Sequence, residues 1–309
     1  TNRINTPDVA EQVLSDGDAD MVSMARPLLA DADFVNKAAE GRADEINVCI
    51  ACNQACLDHA FENKVASCLV NPQACHETEL VIRPAVAKKK LAVVGAGPAG
   101  LAFACTAARR GHEVTVFEAA ERIGGQFNMA KRIPGKEEFH ETLRYFRRQI
   151  ELTGVELRLG ERVTAESLAA DRFDHVVLAT GVTPRHPAIP GIDHSSVMYY
   201  HEVLTGAREA GRRVAIVGAG GIGFDVAEFL SQSGPSSSLD VERFANEWGI
   251  DSNLSHRGGV KEPEDDAGEE RREIFLLQRK TSRPGKDLGK TTGWIHRASL
   301  KARGVNTLA

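Results

Sequence analysis

An α/β fold built from repeated steps of strand, glycine turn and helix is predicted for this 309-residue chain on three observations. Two glycine-rich turns, Gly95-Ala-Gly-Pro-Ala-Gly100 and Gly218-Ala-Gly-Gly-Ile-Gly223, each follow an apolar run and open an apolar helical stretch. Four cysteines, Cys49, Cys52, Cys56 and Cys68, crowd into twenty residues ahead of the first turn. Around these features, stretches of strand length alternate with stretches of helix length, the pattern of a layered α/β chain.

The elements follow in order. Thr6-Pro-Asp-Val-Ala-Glu-Gln-Val-Leu carries a capping Thr and a Pro in the first turn, so a helix is expected there. Ala19 to Met24 reads as a strand, and Phe34 to Ala39 as a second helix. Residues 46 to 88 bear the cysteines, look irregular and end in Lys88-Lys89-Lys90. A βαβ unit then begins: strand Leu91 to Val94, helix Pro98 to Arg110, a stop at Gly111 and strand Val114 to Glu118. A later strand, Phe173 to Leu178, leads to Ala179-Thr-Gly181 and a Pro-rich crossing from Pro184 to Pro190. The second unit has strand Val214 to Val217, helix Ile222 to Ser231 and strand Ile274 to Leu277, interrupted by a polar insertion at about 232 to 272 that reads as a surface excursion.

Composition narrows the function. A net charge of -5 and a pI near 6.1 give no long-range attraction for nucleic acid or an anionic membrane, so small-molecule partners are expected. Leu91 to Ala108 runs uncharged for eighteen residues, near the lower limit for a bilayer span, but three glycines and Pro98 break it. The polar start lacks Met and an apolar signal core, which suggests an incomplete N-terminus and a cytoplasmic protein. Cysteines gathered in one segment, with too few elsewhere for a disulfide framework, favour reduced metal ligation.

In each glycine motif the first glycine makes the tight turn, the second lets backbone N–H groups approach a pyrophosphate, and the third packs helix on strand. Glu118 ends the second strand eighteen residues after Gly100, where a carboxylate accepts hydrogen bonds from a ribose diol. The alternative for Glu118 is a solvated strand end. Gly124-Gly125-Gln126 offers another close backbone approach, consistent with a cofactor larger than a mononucleotide. The corresponding strand end of the second unit reads Gln278-Arg279-Lys280, and a guanidinium pairs with a 2'-phosphate that a carboxylate would repel. NADPH is therefore expected over NADH, a solvated basic strand end being the alternative. The spacing C-x2-C-x3-C-x11-C suits a four-iron, four-sulfur cluster better than zinc, whose structural sites favour two separated pairs or Cys-His mixtures. Cys105 reads as core, while Cys75, His59 and His76 fall outside the ligand pattern.

Cys49-Ile-Ala-Cys-Asn-Gln-Ala-Cys56 with Cys68-Leu-Val-Asn-Pro72, the two glycine turns, Ala179-Thr-Gly181 and Thr291-Thr-Gly-Trp-Ile-His-Arg297 together resemble bacterial NADPH-dependent 2,4-dienoyl-CoA reductases. Their wider family includes trimethylamine dehydrogenase and flavin ene-reductases. The resemblance implies that residues 1–45 close a (β/α)8 barrel carrying FMN, with Arg3, Ala25 and Arg26 at its phosphate. It further implies an iron-sulfur segment at 46–88, an FAD domain at 89–206 and an NADPH domain at 207–309, both domains incomplete. Cluster ligation falls to Cys49, Cys52, Cys56 and Cys68. FAD falls to Gly95, Gly97, Gly100, Glu118, Gln126 and Val163, and NADPH to Gly218, Gly220, Gly223, Arg279 and Lys280. The expected reaction passes electrons from NADPH through FAD, a [4Fe-4S] cluster and FMN to the conjugated double bond of an enoyl-CoA thioester in fatty-acid β-oxidation. Its proton donors belong to the missing part of the barrel, so no catalytic residue is expected here and the chain alone is expected to be inactive. The rivals are an amine dehydrogenase or another ene-reductase of the same layout, and a zinc-bearing binding module. Oligomeric state is not legible.

Overall fold

The computed structural model describes residues 3–263 and 271–309 and divides into two compact units. The first comprises residues up to Asn128 together with Glu138–Thr183, and the second Met129–Glu137 with Pro184–Ala309. Packing thus draws the boundary at Thr183, so residues 184–206 and 129–137, expected in the FAD domain, pack in the second unit.

The first unit begins with α1 (Pro7–Ser15), α2 (Arg26–Ala30), α3 (Phe34–Ala39) and the single turn α4 (His59–Phe61). The Thr6 hydroxyl accepts from the Val9 N–H and Pro7 occupies the first turn, as the sequence signals. Ala19–Met24 does not form the expected strand, because no described strand lies alongside to accept its ladder hydrogen bonds. Phe34, Ile46 and Val48 instead make a small core of their own.

Next come β1 (Lys90–Val94), α5 (Pro98–Arg109), β2 (Glu113–Glu118), α6 (Phe127–Ala130), α7 (Phe139–Thr153), β3 (Glu156–Leu159), α8 (Ala165–Ala170) and β4 (His175–Leu178). The sheet is parallel with order β3-β2-β1-β4. Its chain runs outward from β1 to β3 and then returns to the other side of β1. Such a reversal leaves a crevice beyond the carboxyl ends of β1 and β4, where α/β sheets bind ligands. Leu91, Val93, Leu101, Ala104, Val116, Phe146 and Ile150 fill the core between the sheet and the helices. Cys105 is buried there, as expected of a core residue. The uncharged run at 91–108 is strand, turn and helix, and no described helix is long and apolar enough to cross a membrane.

In the second unit α9 (Tyr200–Thr205) precedes β5 (Arg213–Val217), α10 (Gly221–Ser231), α11 (Val241–Glu247), β6 (Glu273–Leu277), α12 (Gly293–Ala302) and β7 (Asn306–Leu308). Its sheet is parallel with order β5-β6-β7, and Phe224, Ala227, Leu230, Ile274, Leu276 and Leu300 form the core. The insertion is more structured than expected: besides α11 it contains a bridge between Ile250 and Val260, closed around the Asp251 carboxylate. That carboxylate accepts from the Ser255 hydroxyl and the His256 N–H, each at 2.7 Å. Residues 264–270 of the expected insertion lie outside the described residues.

Candidate functional site

The first glycine turn is shaped by crowding. Gly95 has φ of +106°, and a Cβ there would run into the Ala179 carbonyl; one at Gly100 would meet the Gly95 carbonyl. Above Gly97, by contrast, a Cβ would find open space. Gly97 caps α5 without any side-chain acceptor for the helix's first N–H groups. Unpaired N–H groups at the positive end of a 12-residue helix, facing open space, fit a pyrophosphate. Gly124 donates to the Ala96 carbonyl at 2.7 Å and so draws its loop against the turn.

Glu118 is tied to the same turn. Its carboxylate accepts from the Ala96 N–H at 2.8 Å and from the Ala120 N–H at 2.9 Å, fixing the strand end and the glycine loop together. Gln126 donates to the Val182 carbonyl at 2.8 Å, and Val163 is half-buried just after β3. The residues expected to hold FAD therefore belong to one unit, with Glu118 and Gln126 already engaged in holding backbone in place.

The cysteine segment winds tightly. Ala51 and Asn53 take φ of +52° and +58°, and a short π-helical turn spans Gln54–Asp58. The Ser67 N–H donates to the Ala55 carbonyl at 2.7 Å, bringing the stretch that carries Cys68 against the turn that carries Cys56. Burial pushes the Cys52 thiol up to about 11, the fields of Cys68, Cys56 and Cys49 add to this, and the Gln54 N–H opposes it. Cys68 is raised too, chiefly by burial, against N–H groups of Val70 and Asn71. Cys52 and Cys68 thus each feel other cysteines of the segment. A tetrahedral ion needs its donors about 2.3 Å from one point. Among the described residues no three His, Cys, Asp or Glu side chains are grouped to hold such an ion. An iron-sulfur cluster makes a different demand, for one thiolate on each iron and N–H groups aimed at the sulfurs. Four part-exposed thiols on one tightly wound segment, with backbone donors on two of them, fit that chemistry.

Arg3, Ala25 and Arg26 come together around a cavity of about 160 Å³ whose wall also includes Cys49 and Ala51. Arg26 Nη1 donates to Asn53 Oδ1 at 2.5 Å, while Arg3 pairs with Glu138. The space is of phosphate size, which suits the group that these residues are expected to bind. One wall of it is the cysteine loop, a proximity that sequence reading did not foresee.

Helix α7 was also missed, although Leu143, Phe146 and Ile150 recur at helical spacing. It has a mechanical role. The Leu143 side chain packs against Gly124, whose added Cβ would lie 2.9 Å from it. The next residue, Arg144, donates to the Ile46 carbonyl at 2.7 Å and to the Asp44 carbonyl, and Arg148 pairs with the Asp44 carboxylate at 2.7 Å. One helix thus holds both the loop beside the glycine turn and the segment that enters the cysteine cluster.

In the second unit, Gly218 has φ of +119°, a Cβ on Gly223 would strike the Gly218 carbonyl, and Gly220 caps α10 without a side-chain hydrogen bond. Among the described residues, no atom outside the adjoining backbone lies within 4 Å of the positions a Cβ would take on Gly218 or Gly220. Arg279 and Lys280 are exposed just beyond β6, in the loop that returns to this turn.

A model of the pyridine nucleotide-disulphide oxidoreductase family matches residues 89–307, and one of the NADH:flavin oxidoreductase / NADH oxidase family matches residues 1–45. A metal reductase of Desulforamulus reducens is 39% identical over 99% of this chain and 45% of its own length. An NADH oxidase of Thermoanaerobacter brockii is 38% identical over 76% of this chain and 37% of its own. Among solved structures, a 2-naphthoyl-CoA reductase in complex with 2-naphthoyl-CoA superposes with a TM-score of 0.83 at 31% identity, covering 99% of this chain and 41% of that one. The chain spans less than half the length of these relatives.

Proposed function

Because the chain belongs to the pyridine nucleotide-disulphide oxidoreductase family, we propose that it is the electron-relay part of a flavoprotein that reduces a conjugated carbon–carbon double bond of an acyl-CoA thioester. Oxidoreductase chemistry with flavin and nicotinamide nucleotides is common to both matching families. The finer reading, a 2,4-dienoyl-CoA reductase of β-oxidation working in the reducing cytoplasm, rests on the motifs. The likeness to a reductase of an aromatic CoA thioester supports the substrate class. The observation that carries the relay is α7, which holds the loop beside the glycine turn and the segment leading into the four-thiol loop in one unit.

When bound, the groups supply hydride acceptance from NADPH at FAD, single-electron passage at a [4Fe-4S] cluster and two-electron delivery at FMN. The chain's own work is to bind and to fix position. Gly97 leaves room for the FAD pyrophosphate, Gly95 and Gly100 let the turn close tightly around it, Glu118 orients its ribose, and Gln126 and Val163 line the remainder. Cys49, Cys52, Cys56 and Cys68 supply the thiolates. Arg3, the Ala25 backbone and Arg26 hold the FMN phosphate. Gly218, Gly220 and Gly223 receive the NADPH pyrophosphate, with Arg279 and Lys280 at its 2'-phosphate.

Two measurements test this reading. Anaerobically purified protein should show flavin and iron-sulfur absorption with stoichiometric iron and sulfide; colourless, zinc-loaded material defeats it. In the full-length protein, Arg279→Ala should raise KM for NADPH about tenfold or more while leaving that for NADH nearly unchanged. Equal effects on both nucleotides would remove the 2'-phosphate role, and with it the feature that separates a reductase from an amine dehydrogenase.

A further inference from the structure

We propose that Gln278 is a positioning residue that shapes the loop Arg279–Pro284 into a fixed arch, so that its cations meet a nucleotide 2'-phosphate together. This rests on the NADPH reading of the second turn. In a ribose-binding strand end the side chain at this place points at the ligand. Here Gln278 turns back on its own chain: Nε2 donates to the Lys280 carbonyl at 2.9 Å and to the Ser282 carbonyl. Both neighbours are acceptors, so the amide nitrogen must face them, and its two hydrogens are used. The Gln278 backbone is itself fixed, its N–H donating to the Leu308 carbonyl at 2.9 Å.

The far end of the loop is pinned as well. The Gly285 N–H donates to the Ala219 carbonyl at 3.3 Å inside the glycine turn, and the Gly285 carbonyl accepts from Arg297 Nη1 at 3.0 Å. Gly285 has φ of +70° and lies against the Phe224 ring, where a Cβ would not fit. Between these anchors stand Arg279, Lys280 and Arg283, all exposed and with no acid among them. A guanidinium held in place loses less entropy on pairing with phosphate than one on a free loop. The glutamine thus serves selectivity twice. It keeps a carboxylate away from the phosphate, and it presents the cations in a set geometry.

Calorimetric titration of the 309-residue chain with 2',5'-ADP and with 5'-AMP tests the proposal. Gln278→Ala should weaken 2',5'-ADP about tenfold and 5'-AMP less than about twofold. Combined with Arg279→Ala, it should add clearly less than the tenfold it costs alone, since part of its effect passes through that cation. Equal weakening of both ligands would make Gln278 a direct ribose contact. No change, or losses that multiply in the double variant, would also overturn the proposal. If the alanine variant does not fold, Gln278→Met keeps the bulk without the donors and should reproduce the selective loss; wild-type selectivity in it refutes the arch. Failure of the underlying reading looks different: wild-type protein would then not prefer 2',5'-ADP, or Arg279→Ala would leave its preference intact.

Discussion

The two glycine turns share a sequence pattern and a strand-turn-helix geometry, yet they are built to opposite electrostatic plans. At the first, the strand-end residue is Glu118, and both carboxylate oxygens face backbone donors. At the second, the strand-end residue is Gln278, and its amide faces backbone acceptors. Each side chain shapes the loop beside it before any ligand arrives. The turns differ in enclosure too. Among the described residues β1 is flanked on both sides and Gly95 lies against the Ala179 carbonyl, whereas β5 is paired on one side and no described atom crowds Gly218 in the same way. A glycine motif therefore specifies a helix entrance, while the neighbouring strand and the strand-end residue decide what that entrance can hold.

Alanine at the first glycine of each motif separates enclosure from backbone strain. Gly95→Ala combines a strained positive φ with collision against a main-chain carbonyl and should cost about 3 kcal/mol or more. Gly218→Ala carries only the strain and should cost about 2 kcal/mol or less. Urea unfolding can read the two separately. Trp248 and Trp294 are the only tryptophans and both lie in the second unit, so fluorescence reports that unit, whereas far-UV circular dichroism reports both. Equal costs at the two positions would mean that β4 does not crowd the first turn.

Exchanging the strand-end residues attacks the comparison from the other side. Glu118→Gln sets an NH2 group against one of two N–H donors, and Gln278→Glu sets a carboxylate against two carbonyls. Each change makes its turn resemble the other, yet each should destabilise its own unit by about 1–2 kcal/mol. Glu118→Gln should also lower FAD retention on gel filtration. A neutral result at either position would mean that the side chain is a passive, solvated strand end.

How much of this was legible beforehand follows from the range of each interaction. Strands β1, β2, β5 and β6 and helices α5 and α10 were readable within a residue or so, because apolar runs and the glycines between them are local signals. α7 was passed over since its sequence is mostly polar, and only the spacing of Leu143, Phe146 and Ile150 marks its buried face. The strand expected at Ala19–Met24 shows the converse, for a strand exists only with a partner and the segment cannot encode one alone. At the sites, residue types were legible but engagements were not. Nothing local to Arg26 announces Asn53, and nothing local to Gln278 announces that its amide folds back on Lys280 and Ser282. The first depends on a loop conformation set by positive φ at Ala51 and Asn53, and the second on a loop pinned at both ends by distant residues, Leu308 and Ala219.

An effect no larger uses the uneven placement of thiols, since all six cysteines lie in the first unit. In metal-free protein, burial foremost and then the neighbouring sulfurs raise Cys52 from 9.0 to about 11, and Cys68 moves in the same direction. Below pH 9 folded and unfolded chains both keep these protons, so the contribution to stability is constant. Between about pH 9 and 11 the unfolded chain releases them while the folded chain retains them, and stability must fall as pH rises. After allowance for solvent screening the loss should be about 1–2 kcal/mol. Cys52→Ser should flatten that part of the profile, and the second unit, followed by tryptophan fluorescence, should lack it. Reconstitution with iron and sulfide under anaerobic conditions should abolish the fall in the first unit, because the ligating sulfurs are then held as thiolates already. A profile that keeps its slope after reconstitution would mean that these thiols are not the ligands, and the relay would lose its middle member.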